Sequence, residues 1–236
     1  MAGQTVRVAS RDGAGGKGGA FDCYVATPAS GGKVPAVVLG VAIHGVDADI
    51  VAIADEFAAH GYIAAAPDLF WRWLPGPLAT DDKRAAERAQ PRGERIRAGE
   101  ADMADTLAYL RALPQANGRA VAMGFCYGGP YAVIGPRRLG FDGGISCHGS
   151  RMQDYLGEME GVTQPVCLVW GDADHAAPAE VLEAYRDATA RMASLELKIF
   201  PGVLHGFMMR HNANAFDQEA RDFSMRRAMA MLGDLR

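Results

Sequence analysis

The stretch Ala120-Val121-Ala122-Met123-Gly124-Phe125-Cys126-Tyr127-Gly128-Gly129 decides the fold. Its opening residues form a short apolar run, as in a strand buried on both faces. From Tyr127 to Ile134 the pattern turns helical. A passage from strand to helix this abrupt needs a turn so tight that neighbouring backbone leaves no room for a Cβ, which accounts for Gly124 and Gly128 on either side of Cys126. The residue at the apex is lifted into solvent. This is the nucleophile-elbow pattern Gly-x-Ser-x-Gly with cysteine in the serine place. A helix N-terminus at that point favours negative charge, lowering a thiol pKa and stabilising an oxyanion. The competing explanation is a glycine-rich turn that only permits close packing, with Cys126 a small buried apolar residue.

Two sites further along decide between them. Residues 166–170, Val-Cys-Leu-Val-Trp, read as a buried strand running into Gly171-Asp172-Ala173-Asp174-His175-Ala176-Ala177-Pro178. An acid just past the carboxyl end of a strand lies where open α/β sheets build their sites. The next strand-like stretch runs into Pro201-Gly202-Val203-Leu204-His205-Gly206-Phe207. The chain order is therefore nucleophile, acid, histidine, the order of the α/β-hydrolases. Either aspartate alone would serve as a helix N-cap, and His205 alone as a loop histidine. Three such residues in order, each at a strand end, are poorly explained in that way.

The rest of the chain alternates accordingly. Residues 5–9 and 21–26 are strand-like, giving an N-terminal hairpin over 4–27 with the glycine-rich loop RDGAGGKGG at 11–19. Residues 35–43 (PAVVLGVAI) are a buried strand. A helix follows, capped by Asp47 or Asp49, with Ile50, Ile53 and Phe57 on its apolar face and Gly61 at its left-handed end. Strands are predicted at 62–66, 120–125, 143–147 and 166–170, with another through Leu195, Leu197 and Ile199 nearer an edge. Helices are marked by Met103, Leu107 and Leu110, by residues 178–192, and by Phe216, Ala220 and Phe223. Such alternation predicts a mostly parallel twisted sheet with helices on both faces. Residues 80–100, charged and interrupted by proline, read as a solvated excursion or short lid.

Composition narrows the function. The chain has 236 residues, 49% of them hydrophobic and 22% charged, which suits one α/β domain spanning 1–236. A net charge of −4 gives no footprint of a nucleic-acid binder. No apolar run is long enough to span a membrane, and the N-terminus lacks the core of a secretory signal. Four cysteines are too few for a disulfide scaffold, so a cytoplasmic protein, monomer or homodimer, is expected. No phosphate-binding or dinucleotide fingerprint occurs, and Cys147-His148 has no further ligand at zinc-like spacing, so neither cofactor nor metal is expected.

The motifs resemble the dienelactone hydrolase (carboxymethylenebutenolidase) family of the α/β-hydrolase superfamily. The resemblance rests on the IHGV segment at 43–46, GYIAAAPDLFWR at 61–72, GFCYGG, GDADHAAP and GVLHGF, and spans most of the chain from Val34. It implies an α/β-hydrolase fold without a large cap domain, and a lactone or small-ester substrate cleaved through an acyl-thioester. Cys126 would be the nucleophile, His205 the base and Asp174 its orienting acid. The pattern G-x-x-D-x-x-x-P, running Gly171, Asp174, Pro178, selects Asp174 over Asp172, leaving Asp172 and His175 as turn and surface residues. Backbone N–H groups of Tyr127 and Ile43 would form the oxyanion hole.

Departures from the family point to a changed pocket. The family's best-known members carry a glutamate that pairs with the resting thiol, where this chain has Ala42. Arginines grip the substrate carboxylate in those members. Here Arg84 and Arg88 fall near the first, while Met209 stands at the second with Arg210 beside it. His44, Trp71 and His148 are further pocket candidates. The alternatives are a promiscuous esterase acting on aryl, thio- or phosphoesters, or a hydrolase-fold ligand sensor with poor turnover.

Overall fold

β1 (Gln4–Ser10) pairs antiparallel with β2 (Gly19–Ala26), β2 pairs antiparallel with β4 (Ile63–Pro67), and β3 (Val34–Gly40) pairs parallel with β4. These strands come from a computed structural model that describes residues 3–11, 19–29 and 31–236. The glycine-rich loop expected at 11–19 lies almost wholly outside the described residues. The chain falls into two units, Met1–Ala120 with Leu235–Arg236, and Val121–Asp234.

In the first unit β3 and β4 are almost completely buried, as their unbroken apolar sequence requires. Helix α1 (Ala48–Ala59) buries Ile50, Ile53 and Phe57. Its N-cap is Asp47, which accepts a hydrogen bond from Ile50 N–H at 3.0 Å, and Gly61 takes the left-handed φ of +84° that ends the turn. Residues 80–100, expected as a solvated excursion or short lid, are largely helical. They form the short helix α2 (Arg84–Arg88) and the first half of α3 (Arg92–Arg111), a helix of 20 residues. Glu94, Arg97 and Arg111 of α3 are exposed, whereas Asp102 and Asp105 are buried. Ile96, Gly99, Met103, Leu107 and Leu110 recur at helical spacing on the buried face, a stripe too sparse at its start to be read through so many arginines and glutamates.

In the second unit β5 (Ala116–Phe125), β6 (Gly143–Cys147), β7 (Val166–Gly171) and β8 (Leu195–Phe200) pair in that order, all parallel. The helix expected over 127–134 is shorter and composite. A 3-10 turn at Cys126–Gly128 leads into α4 (Tyr131–Ile134) and then a wider π turn at Gly135–Leu139. Pro130 and Pro136 lack the N–H groups a continuous α-helix would use. Helix α5 (Ala179–Thr189) buries Val181, Leu182 and Tyr185 around Trp170. Helix α6 (Gln218–Gly233) buries a stripe of Ala220, Ser224, Ala228 and Met231, and the half-buried Phe223 instead stacks on Phe200 at 5.6 Å.

β6 approaches α4 so closely that a Cβ on Gly144 would lie 1.8 Å from the Ala132 carbonyl oxygen. Gly144→Ala should therefore lower stability by about 3 kcal/mol, since neither backbone can yield without moving the strand. Urea unfolding checks this; an unchanged midpoint would contradict the packing.

Candidate functional site

Cys126 sits at φ +50°, a left-handed backbone that non-glycine residues rarely adopt. Among the described residues the other non-glycine residues with positive φ are His148 (+41°) and Arg151 (+59°), both just past the end of β6. Strain thus gathers at one place. The elbow closes because Gly124 and Gly128 touch: a Cβ on Gly124 would lie 2.1 Å from the Gly128 carbonyl oxygen. The carbonyl of Cys126 accepts from Gly129 N–H at 3.1 Å and from Ser150 N–H at 2.9 Å. The side-chain oxygen of Ser150 lies 4.0 Å from the Cys126 sulfur.

Of the four cysteines, Cys23, Cys147 and Cys167 are buried and Cys126 is half-exposed. Burial pushes the thiols of Cys23 and Cys167 far up and that of Cys147 to about 12, leaving them inert as nucleophiles.

Asp174 and His205 are brought together by two loops that meet at a glycine. A Cβ on Gly171, at the end of β7, would lie 1.8 Å from the carbonyl oxygen of Val203. Asp172 ties the same loops, accepting from Gly202 N–H at 2.6 Å, so it is more than the turn residue expected. The carboxylate of Asp174 is fully buried; it faces Nδ1 of His205 at 2.9 and 3.0 Å and accepts from Ala176 N–H at 2.7 Å. His205 also hydrogen-bonds the side chain of Cys126. Burial by itself would lower the imidazole pKa. The hydrogen bonds to Asp174 and Cys126 and their charges outweigh it, raising His205 from 6.5 to about 10. At neutral pH the imidazole is therefore cationic.

Two further histidines flank it, each with its ring centroid 5.0 Å away. His175 is exposed. His148 is 1% exposed, packs edge-on against His205 and Phe207, and has no hydrogen-bond partner on either ring nitrogen. Burial, and next the charge of His205, push its pKa well down, so it is neutral.

The other pocket candidates have mixed placements. Arg210 is exposed and stacks over Phe216 at 5.2 Å, while Met209 is buried. In the first unit, Arg84 is exposed and paired with Asp82 at 2.6 Å. Arg88 is buried over the ring of Phe70 and donates to the carbonyls of Ile43 (2.9 Å), Leu74 (2.8 Å) and Gly76 (2.7 Å). It thereby pins the segment carrying Ile43 and His44, both half-buried. Trp71 donates to the carboxylate of Asp102 at 3.2 Å and stacks against Arg72, which pairs with that acid at 2.6 Å. Burial raises Asp102 to about 6 despite Arg72.

Sequence reasoning missed Ser150, the Asp172 tie and the stacking of His175. The last two stand beside motif residues; Ser150, 24 residues from Cys126, carries no local signal.

The dienelactone hydrolase family model matches residues 21–235. Carboxymethylenebutenolidase 1 of Cupriavidus pinatubonensis is 29% identical over 223 residues, covering 93% of this chain and 94% of that protein. A solved dienelactone hydrolase-like promiscuous phosphotriesterase from metagenomic libraries superposes with a TM-score of 0.78 at 20% identity, covering 100% of this chain and 99% of the other. The dienelactone hydrolase of Anabaena variabilis gives a TM-score of 0.67 at 15% identity, covering 99% of each chain. The fold is that of the α/β-hydrolases, a mostly parallel sheet with helices, as the alternation predicts. Among the described residues no helix is long and apolar enough to cross a membrane.

The raised His205 pKa has a measurable consequence. The imidazole is protonated in the folded chain up to about pH 10, and in the unfolded chain only up to 6.5. Its contribution to stability is thus complete below pH 6.5 and is lost as pH rises to about 10. Nitrogen NMR of the imidazole should give a midpoint near 10, moved down in Asp174→Asn. A wild-type midpoint near 6.5 would contradict the arrangement.

Proposed function

The chain belongs to the dienelactone hydrolase family, and on that premise we propose that it hydrolyses a lactone or small carboxylic ester by covalent catalysis through Cys126. The observation that carries the reading is the single half-exposed cysteine, at a left-handed elbow, hydrogen-bonded to a histidine that Asp174 keeps cationic.

The thiolate of Cys126 attacks the ester carbonyl. The resulting oxyanion is held by the backbone N–H of Tyr127, and losing such a donor typically slows a reaction about 10²–10³-fold. The tetrahedral centre collapses, the C–O bond breaks, and the imidazolium of His205 gives its proton to the leaving oxygen. An alcohol departs and a thioester remains on Cys126. Water then adds to the thioester carbonyl while neutral His205 takes its proton. Collapse of this second centre expels the thiolate, releases the acid and restores the ion pair. Asp174 holds the ring through Nδ1, so that Nε2 faces the sulfur. His148 is proposed to back the site as a neutral ring packed edge-on against His205.

A broader ester substrate is the second reading. It is favoured by the side chains that would grip a substrate carboxylate: Arg210 lies out on Phe216, Arg84 pairs with Asp82, and Arg88 donates to three backbone carbonyls. The family's glutamate is also replaced by Ala42, so the resting thiol depends on His205.

Stopped-flow hydrolysis of p-nitrophenyl acetate tests the mechanism. Wild type should release about one equivalent of p-nitrophenolate in a burst and then turn over steadily, with both phases absent in Cys126→Ala. A burst without turnover would mark a ligand sensor, and full activity in the variant would refute the nucleophile. Iodoacetamide should label Cys126 below pH 7 without substrate; labelling that begins only at an ordinary thiol pKa would refute the resting ion pair.

A further inference from the structure

The segment after β6 is built against the elbow. His148 N–H donates to the Val169 carbonyl at 2.8 Å, and the indole of Trp170 donates to the Gly149 carbonyl at 2.9 Å. A Cβ on Gly149 would lie 2.4 Å from the hydroxyl of Ser146, and one on Gly129 would lie 2.5 Å from the Cα of Gly149. Ser150 N–H then reaches the Cys126 carbonyl at 2.9 Å. These five contacts, none of which uses the Ser150 side chain, fix Ser150, so its hydroxyl stands beside the sulfur for reasons independent of the hydroxyl itself. The Oγ to Sγ distance is 4.0 Å, at the outer range for a sulfur hydrogen bond.

From this geometry we infer that the Ser150 hydroxyl donates a hydrogen bond to the Cys126 thiolate and stabilises it, both at rest and as the group expelled in thioester hydrolysis. The inference rests on Cys126 being the nucleophile. A thiolate can only accept, so in the ion pair the direction of the bond is fixed: Oγ–H gives and Sγ receives. A charged acceptor strengthens such a bond about twofold over a neutral one, which compensates for its length. The hydroxyl forms and breaks no covalent bond and gives up no proton. It lowers the energy of the sulfur anion relative to the thiol and to the thioester.

Ser150→Ala isolates the hydroxyl, because the backbone N–H that holds the elbow remains. Cys126 alkylation by iodoacetamide, followed by intact mass against pH, should show a thiolate pKa raised by about half to one unit, slowing labelling about three- to tenfold below that pKa. With p-nitrophenyl acetate the steady phase after the burst should slow by a similar factor, with little change in KM. Ser150→Thr and Ser150→Val are nearly isosteric and supply a second comparison: the threonine variant should follow wild type and the valine variant should follow alanine. A merely structural serine would not separate that pair. If alanine or valine leaves the labelling profile unchanged while Cys126 stays the labelled residue, the Ser150 role is wrong and the nucleophile stands. If Cys126→Ala keeps the burst, the nucleophile reading itself has failed.

Discussion

The left-handed backbone of Cys126 is the constraint on which the site depends. An L-residue in that conformation carries a cost of about 1–2 kcal/mol, from the approach of Cβ to a carbonyl oxygen. Two hydrogen bonds to the Cys126 carbonyl, from Gly129 and Ser150, oppose it at about 1 kcal/mol each. Both donors can reach only where side chains are absent: Gly124 lies against Gly128, and Gly129 against Gly149. The glycines of the motif are therefore the geometric condition for raising a sulfur above the strand end.

Electrostatics then separates this thiol from the other three. Cys23, Cys147 and Cys167 lie in strand interiors, where an anion would be without water, and their protons are held. Cys126 has a cation beside it, because Asp174 is buried, accepts from Ala176 as well, and fixes the His205 ring by Nδ1. His148 adds no second charge: its burial and the proximity of imidazolium keep it neutral. Of this pair, His205 alone carries the charge that faces the sulfur.

What could be read in the sequence follows from where each constraint is recorded. The elbow, Asp174 and His205 are legible because each stands in a run of glycine, proline and polar residues directly after an apolar strand, and the steric demands are local. The Asp47 cap and the left-handed Gly61 are equally local. Helix α3 is not legible at its start, because charges are spread around Arg92–Arg111, two of them the buried Asp102 and Asp105, and leave a stripe of Ile96, Gly99 and Met103 too thin to register. The broken helix after the elbow was hidden by helix-compatible residues, although Pro130 and Pro136 mark the breaks. Ser150, the tie from Asp172 to Gly202, and the hold of Arg88 on Ile43 are tertiary facts. No spacing in the chain encodes them.

Arg88 carries the remaining step. A cation in this region would be expected to bind an anionic substrate, yet its guanidinium lies over Phe70 and donates to three backbone carbonyls, one of them that of Ile43. Holding that carbonyl fixes the peptide plane that Ile43 shares with His44. Arg88 therefore acts on the segment after β3 as a brace, through the carbonyls of Ile43, Leu74 and Gly76. The brace takes Nε and one Nη of the guanidinium; the other Nη is buried beside Gly45 and has no hydrogen-bond partner among the described residues. Most of this guanidinium is thus taken up by backbone, and what remains of it is buried, so the cation serves the local fold before any ligand.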